Sequence, residues 1–131
     1  MPDLKKKRIL LVDDDESHLK AIRTILELEG YEVHTSSQSM GTSKLVMGLA
    51  PDLILLDVNM PTLTGDRLIS ILKRNDMAAS IPVVFFSGSD DSTLREMARR
   101  CGAAGYIRKG DPAVLRAKVA SFLGEPPQRS F

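Results

Sequence analysis

Cysteine is almost missing from this 131-residue chain, tryptophan is missing altogether, and aromatic residues make up only 5% of it. A lone Cys101 has no partner for an intramolecular disulfide, so the fold must rest on a packed apolar core. An excess of charge of one sign is also lacking. Eighteen Lys and Arg face seventeen Asp and Glu, and the resulting net charge of +1 gives no global pull towards nucleic acid. No apolar segment approaches the roughly 18 residues needed to cross a bilayer. Lys5, Lys6, Lys7 and Arg8 resemble the charged head of an export signal, but the apolar run behind them stops at Asp13. They read instead as a solvated entry to a first strand. The expected compartment is the cytoplasm, with no membrane and no direct nucleic-acid contact. The remaining composition, 43% hydrophobic and 27% charged, is that of one globular domain of common size.

Along the chain, strand and helix signals alternate five times. Ile9 to Val12 is a continuous apolar run that ends in Asp13, Asp14, Asp15 and Glu16. Ser17 can cap a helix carrying Leu19, Ile22 and Leu26, with Gly30 as its stop. Tyr31 to Thr35 alternates like a strand near a sheet edge, and a weaker helix starts at Ser37 with Leu45, Val46 and Leu49 on one side. Leu53 to Leu56 is a second unbroken apolar run, suited to a central strand buried on both faces, and Asp57 follows it directly. Leu68, Ile71 and Leu72 mark a third helix, and Pro82 to Phe86 a fourth strand ending at Ser87. Leu94, Met97, Ala98 and Cys101 give a fourth helix its inner side, which makes Cys101 a core residue. Tyr106 and Ile107 form a short fifth strand that delivers Lys109. Asp111 as cap and Pro112 at the first position open a last helix with Leu115, Val119 and Phe122 inward.

This alternation predicts an α/β fold, a doubly wound five-stranded parallel sheet with helices on both faces, because parallel neighbours need crossover connections. All strands then end at one edge, which gathers Asp13, Asp57, Ser87 and Lys109 where ligands of such sheets bind. Taken alone, Asp57 reads as a turn cap. Beside Asp13 and Asp14 it is one of three carboxylates that repel unless some are protonated or a cation holds them. Mg²⁺ suits the set, since it takes oxygen ligands, few protein carboxylates and a phosphate oxygen. A Lys supplies a compact positive charge for phosphoryl oxygens, a Ser hydroxyl can hydrogen-bond to them, and a carboxylate can itself be the nucleophile.

Four segments fall in order at predicted strand ends: the acidic pair Asp13-Asp14, the stretch Leu55-Leu56-Asp57-Val58-Asn59-Met60-Pro61, Ser87, and Tyr106-Ile107-Arg108-Lys109. With them the chain resembles a bacterial two-component response-regulator receiver domain over about residues 7–124. The resemblance implies a receiver domain over 1–124 with a short flexible tail over 125–131, and a flavodoxin-like strand order 2-1-3-4-5. It implies that Asp57 accepts a phosphoryl group from a histidine kinase or phosphotransfer protein. Asp14, Asp57 and the backbone carbonyl of Asn59 would ligate Mg²⁺ directly, with Asp13 acting mainly through a water. Lys109 would contact the phosphoryl group, Ser87 would move to hydrogen-bond it, and Tyr106 would rotate inward. Gly88 would leave access for the donor, while Asn59 and Ser89 would tune the lifetime of the modification. An effector protein would then read the face made by the fourth helix, fifth strand and last helix. Such a domain promotes its own phosphorylation and dephosphorylation without being an enzyme in the turnover sense.

The chain departs from the family in one place: Gly110 follows Lys109 where Pro is usual. A non-proline cis bond costs about 2.5–4 kcal/mol, so a trans bond is expected here. Other residues have plainer readings. Asp15 and Glu16 suit a helix first turn, His18 and His34 lie on the surface, and Arg95, Arg99 and Arg100 form a solvated helix face sooner than part of a partner surface. Two competing functions remain. A pseudo-receiver would serve as a phosphorylation-independent interaction module. An enzyme on the same architecture would be an aspartate-nucleophile phosphatase, which wants an Asp where Asn59 stands, or a flavin-binding protein.

Overall fold

Strands without polar alternation form the centre of the sheet. β1 (Arg8–Val12), β3 (Leu53–Asp57) and β4 (Val83–Ser87) lie side by side, with β2 (Glu32–Ser36) and β5 (Gly105–Arg108) at the edges in the order β2-β1-β3-β4-β5. Every pairing is parallel. The computed structural model describes residues 6–37, 42–58, 65–76 and 78–124. Parallel neighbours require crossovers, and four helices supply them, α1 (Glu16–Leu28), α2 (Thr42–Leu49), α3 (Gly65–Lys73) and α4 (Asp91–Cys101), while α5 (Pro112–Phe122) follows the last strand. No helix among the described residues is long and apolar enough to cross a membrane.

The unbroken apolar runs serve two cores at once, because successive side chains of a strand point to opposite faces. On one face Ile9, Leu11, Leu53, Leu55, Val84, Phe86 and Ile107 pack against Leu19, Ile22 and Leu26 of α1 and Leu115 and Val119 of α5. On the other, Leu10, Val12, Ile54, Leu56, Val83 and Phe85 meet Val46 of α2, Leu68, Ile69 and Leu72 of α3, and Ala98 of α4. Burying one such aliphatic side chain contributes about 1.5–3 kcal/mol, so a one-residue register slip in β3, which would swap both faces at once, is strongly disfavoured.

Helix boundaries follow the capping chemistry, with some departures from expectation. α1 is capped by Asp15 and not by Ser17: the Asp15 side chain accepts from the backbone N–H groups of Ser17 and His18. With Asp15 as cap the helix gains its first turn from Glu16, and the Ser17 hydroxyl donates to Asp15 Oδ1 at 2.7 Å. In α3 it is Ile69 that is buried, while Ile71 is 39% exposed. The helix therefore turns a stripe of 68, 69 and 72 inward. α2 begins at Thr42, and the expected start at Ser37 falls before a stretch, 38–41, outside the described residues. Asp90 caps α4, Gly102 closes it in the left-handed conformation at φ 79°, and Asp111 with Pro112 opens α5 as expected. Asn59 and the tail 125–131 lie outside the described residues.

Gly105, the first residue of β5, leaves room for the ring of Phe122. A Cβ there would lie 2.5 Å from Cζ and 2.8 Å from Cε1 of Phe122, whose ring packs against the first core. Gly105→Ala is expected to destabilise the fold by about 1–3 kcal/mol, the usual cost of overpacking. Urea denaturation would register it, and the cost should largely vanish in a Phe122→Ala background, where the obstructing ring is gone.

Candidate functional site

The same alternation that fills the two cores distributes the polar residues at the carboxyl edge. Asp57 continues the 53, 55 series of β3 towards the α1/α5 side. Asp13 continues 9 and 11 of β1, its N–H still donating to Ser36 O at 3.1 Å as in the ladder. Lys109 follows Ile107 of β5 in the same way, its N–H donating to Ser87 O at 2.8 Å. Three strands thus deliver two acids and a lysine to one side of one edge. Ser87 follows 83 and 85 of β4 towards the opposite side, where Tyr106 packs against the second core.

Asp13 is 1% exposed and Asp57 4%, whereas Asp14 is open to solvent. Lys109 Nζ donates to Asp13 Oδ2 at 3.1 Å and lies 3.9 Å from Asp57 Oδ1. Asp13 Oδ1 accepts from the backbone N–H of Asp15 at 3.0 Å, and Asp13 Oδ2 also meets His18 Nδ1 at 2.6 Å. One oxygen atom from each of Asp13, Asp14 and Asp57 can be chosen so that all three lie within 4.8 Å of one another. Three carboxylates against one ammonium leave an excess of negative charge that a divalent cation offsets. The donor set is all oxygen, with Asp14 on the solvent side where waters can complete a shell, and it fits Mg²⁺.

Burial alone would raise the pKa of Asp13, but the Asp15 N–H, the His18 ring and the Lys109 ammonium together outweigh it and hold the carboxyl below its ordinary value. A folded-state pKa below the unfolded one means that this ionised group contributes stability above about pH 4, and that the contribution is lost as pH falls through the lowered value. In Mg²⁺-free buffer, the urea midpoint of the wild-type protein should drop as pH falls below about 4. Asp13→Asn should flatten that part of the profile.

The side chains expected to switch, Ser87 and Tyr106, have partners of their own. Ser87, fully buried, donates from Oγ to Ser89 Oγ at 3.2 Å and accepts from the Ser89 N–H at 3.2 Å. Tyr106 is half-buried. Its hydroxyl accepts from Arg95 at 3.4 Å, and Lys118 Nζ stands 4.6 Å from the ring centroid, a cation–π contact. Arg95 is therefore a neighbour of Tyr106 as well as part of a solvated helix face. No peptide bond among the described residues is cis, as expected at Lys109–Gly110. Gly110 takes φ 137°, which L side chains rarely adopt, and so absorbs the turn that carries the chain from Lys109 to the Asp111 cap.

His18, read as a surface residue, and Phe86, read only as the end of a strand, both border the site. His18 faces inward from the first turn of α1, hydrogen-bonded to Asp13 and stacked on Phe86 with ring centroids 5.6 Å apart. Lys109 Nζ lies 5.5 Å from the centroid of the Phe86 ring. The signal for His18 was its spacing, since 18, 22 and 25 fall at i, i+4 and i+7 on one helix face. His34, by contrast, pairs with Glu32 at 2.7 Å on the edge strand, away from the site. A groove of about 410 Å³ between α1 and the β5–α5 loop opens beside the cluster, lined by His18, Ile22, Phe86, Lys109, Gly110 and Pro112 among others.

Comparison with known proteins agrees with this geometry. The family model of the response regulator receiver domain matches residues 9–120. The chain is 30% identical over 121 residues to the polar-differentiation response regulator DivK of Brucella anthropi, covering 91% of this chain and 98% of that protein. It is 34% identical over 116 residues to the response regulator PleD of Caulobacter vibrioides, covering 88% of this chain and 26% of PleD. The chain spans only 16–52% of the length of several other curated relatives. Among solved structures, a response regulator from Desulfuromonas acetoxidans superimposes with a TM-score of 0.80 at 28% identity, over 90% of this chain and 97% of that one.

Proposed function

The chain belongs to the response regulator receiver domain family, and we propose that it takes its phosphoryl group on Asp57, from a histidine kinase or a phosphotransfer protein, and alters a partner-binding surface in response. One observation carries this reading: Asp57, buried at the end of the central strand, shares a carboxylate cluster with Asp13 and Asp14 and faces the Lys109 ammonium. A pseudo-receiver has no use for that cluster, which favours the phosphoacceptor reading.

An oxygen of the ionised Asp57 attacks phosphorus as the bond from phosphorus to the donor breaks. The leaving group keeps the bonding electron pair and takes up a proton from solvent, and an acyl phosphate results. Asp14 and Asp57, with the Asn59 carbonyl and with Asp13 through a water, would hold Mg²⁺, which when bound would supply charge neutralisation for the transferring oxygens. Lys109 starts between the two acids, 3.1 Å from Asp13 and 3.9 Å from Asp57, and would turn from Asp13 to a phosphoryl oxygen. Gly88 bears no side chain and a Cβ there would meet nothing within 4 Å, so the approach over β4 is open to a donor. The family promotes its own phosphorylation and hydrolysis in this way. Alignment and charge neutralisation supply the catalysis.

The surface change follows from the far side of the sheet. Ser87 reaches a phosphoryl oxygen by giving up Ser89, and Tyr106 fills the vacated space by giving up Arg95 and Lys118. The rearranged α4-β5-α5 face is what an effector protein reads, and it must bind the two arrangements with different affinity. We place this exchange in the cytoplasm.

Amide chemical shifts recorded with Mg²⁺, with and without beryllofluoride, test the proposal. Shifts are expected around Asp13, Asp57 and Lys109, and also along α4 and at Tyr106 and Lys118. Changes confined to the first group would reject the switch.

A further inference from the structure

Asp13 is the most heavily subscribed group of the site. Its Oδ1 is taken by the Asp15 N–H, and its Oδ2 is shared between His18 Nδ1 at 2.6 Å and Lys109 Nζ at 3.1 Å. An ionised carboxylate only accepts, so Nδ1 of His18 must carry the hydrogen. The ring cannot drift from this pose easily: it stacks on Phe86 at 25° between planes, on the ring that also borders Lys109. Lys109 lies closer to Asp13 than to Asp57, 3.1 Å against 3.9 Å, although Asp57 is where the phosphoryl group forms.

We propose that His18 is a positioning residue for phosphoryl transfer: its Nδ1–H occupies Asp13 Oδ2 alongside Lys109, weakens the hold of Asp13 on the ammonium, and so releases Lys109 towards the phosphoryl group on Asp57. A carboxylate oxygen offers a limited number of acceptor directions. A second donor on Asp13 Oδ2 dilutes its attraction for the lysine, and it stays to satisfy the buried oxygen when the lysine leaves. Without it, departure of Lys109 would leave that oxygen with no hydrogen bond from either group, which opposes the transfer. His18 touches neither the phosphoryl group nor Asp57 in this role, and it acts through Asp13 and Lys109. Outer groups of this kind commonly change affinity or activity by about 10–100-fold when removed.

The inference rests on Asp57 as acceptor, and two substitutions separate the donor from the ring. His18→Phe keeps a ring to stack on Phe86 and removes the N–H. His18→Asn loses the stack but keeps a donor one bond from Cγ, where Nδ1 stands. Two quantities are measured on the full chain at fixed pH: Mg²⁺ affinity by calorimetry without a phosphodonor, and the rate of phosphorylation by acetyl phosphate at saturating Mg²⁺. In His18→Phe the rate should fall about tenfold. Mg²⁺ affinity should rise about threefold, because an acceptor direction on Asp13 is returned to the cation and its waters. His18→Asn should bring both back towards the wild type. A loosened fold would lower both quantities together, so the opposite signs mark positioning. An unchanged rate in His18→Phe, Mg²⁺ affinity that is unchanged or lower there, or equal behaviour of the Phe and Asn variants would overturn the proposal. If the wild-type protein itself took up no phosphoryl group, the assignment of Asp57 would fall, and the Mg²⁺ measurement alone would still decide whether His18 draws on Asp13.

Discussion

Asp57→Ala should take up no detectable phosphoryl group from a phosphohistidine donor under conditions in which the wild-type protein is fully modified. Removing the nucleophile from a site that otherwise only aligns and neutralises costs rate on the order of 10⁶-fold. The neighbours are poor substitutes. Asp13 is buried with both oxygens engaged, Oδ1 by the Asp15 N–H and Oδ2 by His18 and Lys109. Asp14 is exposed and lies outside the strand that aims Asp57. Ser87 follows the other face of β4 and donates to Ser89. Without Mg²⁺ the variant should be no less stable than the wild type, since one of three clustered carboxylates is gone and Lys109 keeps Asp13. A variant labelled as fully as the wild type would reject Asp57 as acceptor.

Lys109→Met is expected to slow phosphorylation by about 10²–10³-fold, the usual loss on removing one preorganised charge stabiliser of a transferring group. Its other effects run in opposite directions. Mg²⁺ should bind more tightly, because the ammonium 3.1 Å from Asp13 and 3.9 Å from Asp57 no longer competes for the same carboxylates. The metal-free protein should lose stability by about 1–3 kcal/mol, because among the described residues buried Asp13 then keeps the Asp15 N–H and His18 as its donors. Urea titrations with and without Mg²⁺ read both: the deficit should appear in chelator and shrink as Mg²⁺ is added. A deficit that Mg²⁺ does not reduce would mean that Lys109 supports the fold by packing on Phe86 and not by compensating the acids.

Much of this site was legible in the sequence because its residues sit at the ends of strands. Leu53 to Leu56 reads as a run buried on both faces, and a run of that kind can only be central, so Asp57 had to emerge at the sheet's ligand-binding edge. The acidic mouth after Val12 and the lysine after Ile107 follow by the same logic. The strand order came from resemblance, since periodicity says which strands are buried and not which are neighbours. Helix detail was less legible. Asp15 and Ser17 are both good caps, and only the backbone geometry shows that the carboxylate takes the amides. Ile69 and Ile71 are equivalent in hydrophobicity, and choosing between them needs the rotation of α3 about its axis. His18 was hidden for a related reason: a cap at Ser17 leaves it at the first position of the helix, whereas a cap at Asp15 turns it onto Asp13 and Phe86.

The central claim is that a carboxylate at residue 57 becomes an acyl phosphate, and the most direct measurement is intact mass after incubation with acetyl phosphate, with Mg²⁺ or with a chelator, followed by borohydride reduction and peptide mapping. The account predicts the gain of one phosphoryl group in Mg²⁺ alone and a reduced residue at Asp57, because borohydride reduces acyl phosphates and leaves phosphoserine intact. No gain in mass with Mg²⁺, or a modification that survives borohydride and maps to Ser87 or Ser89, would contradict it.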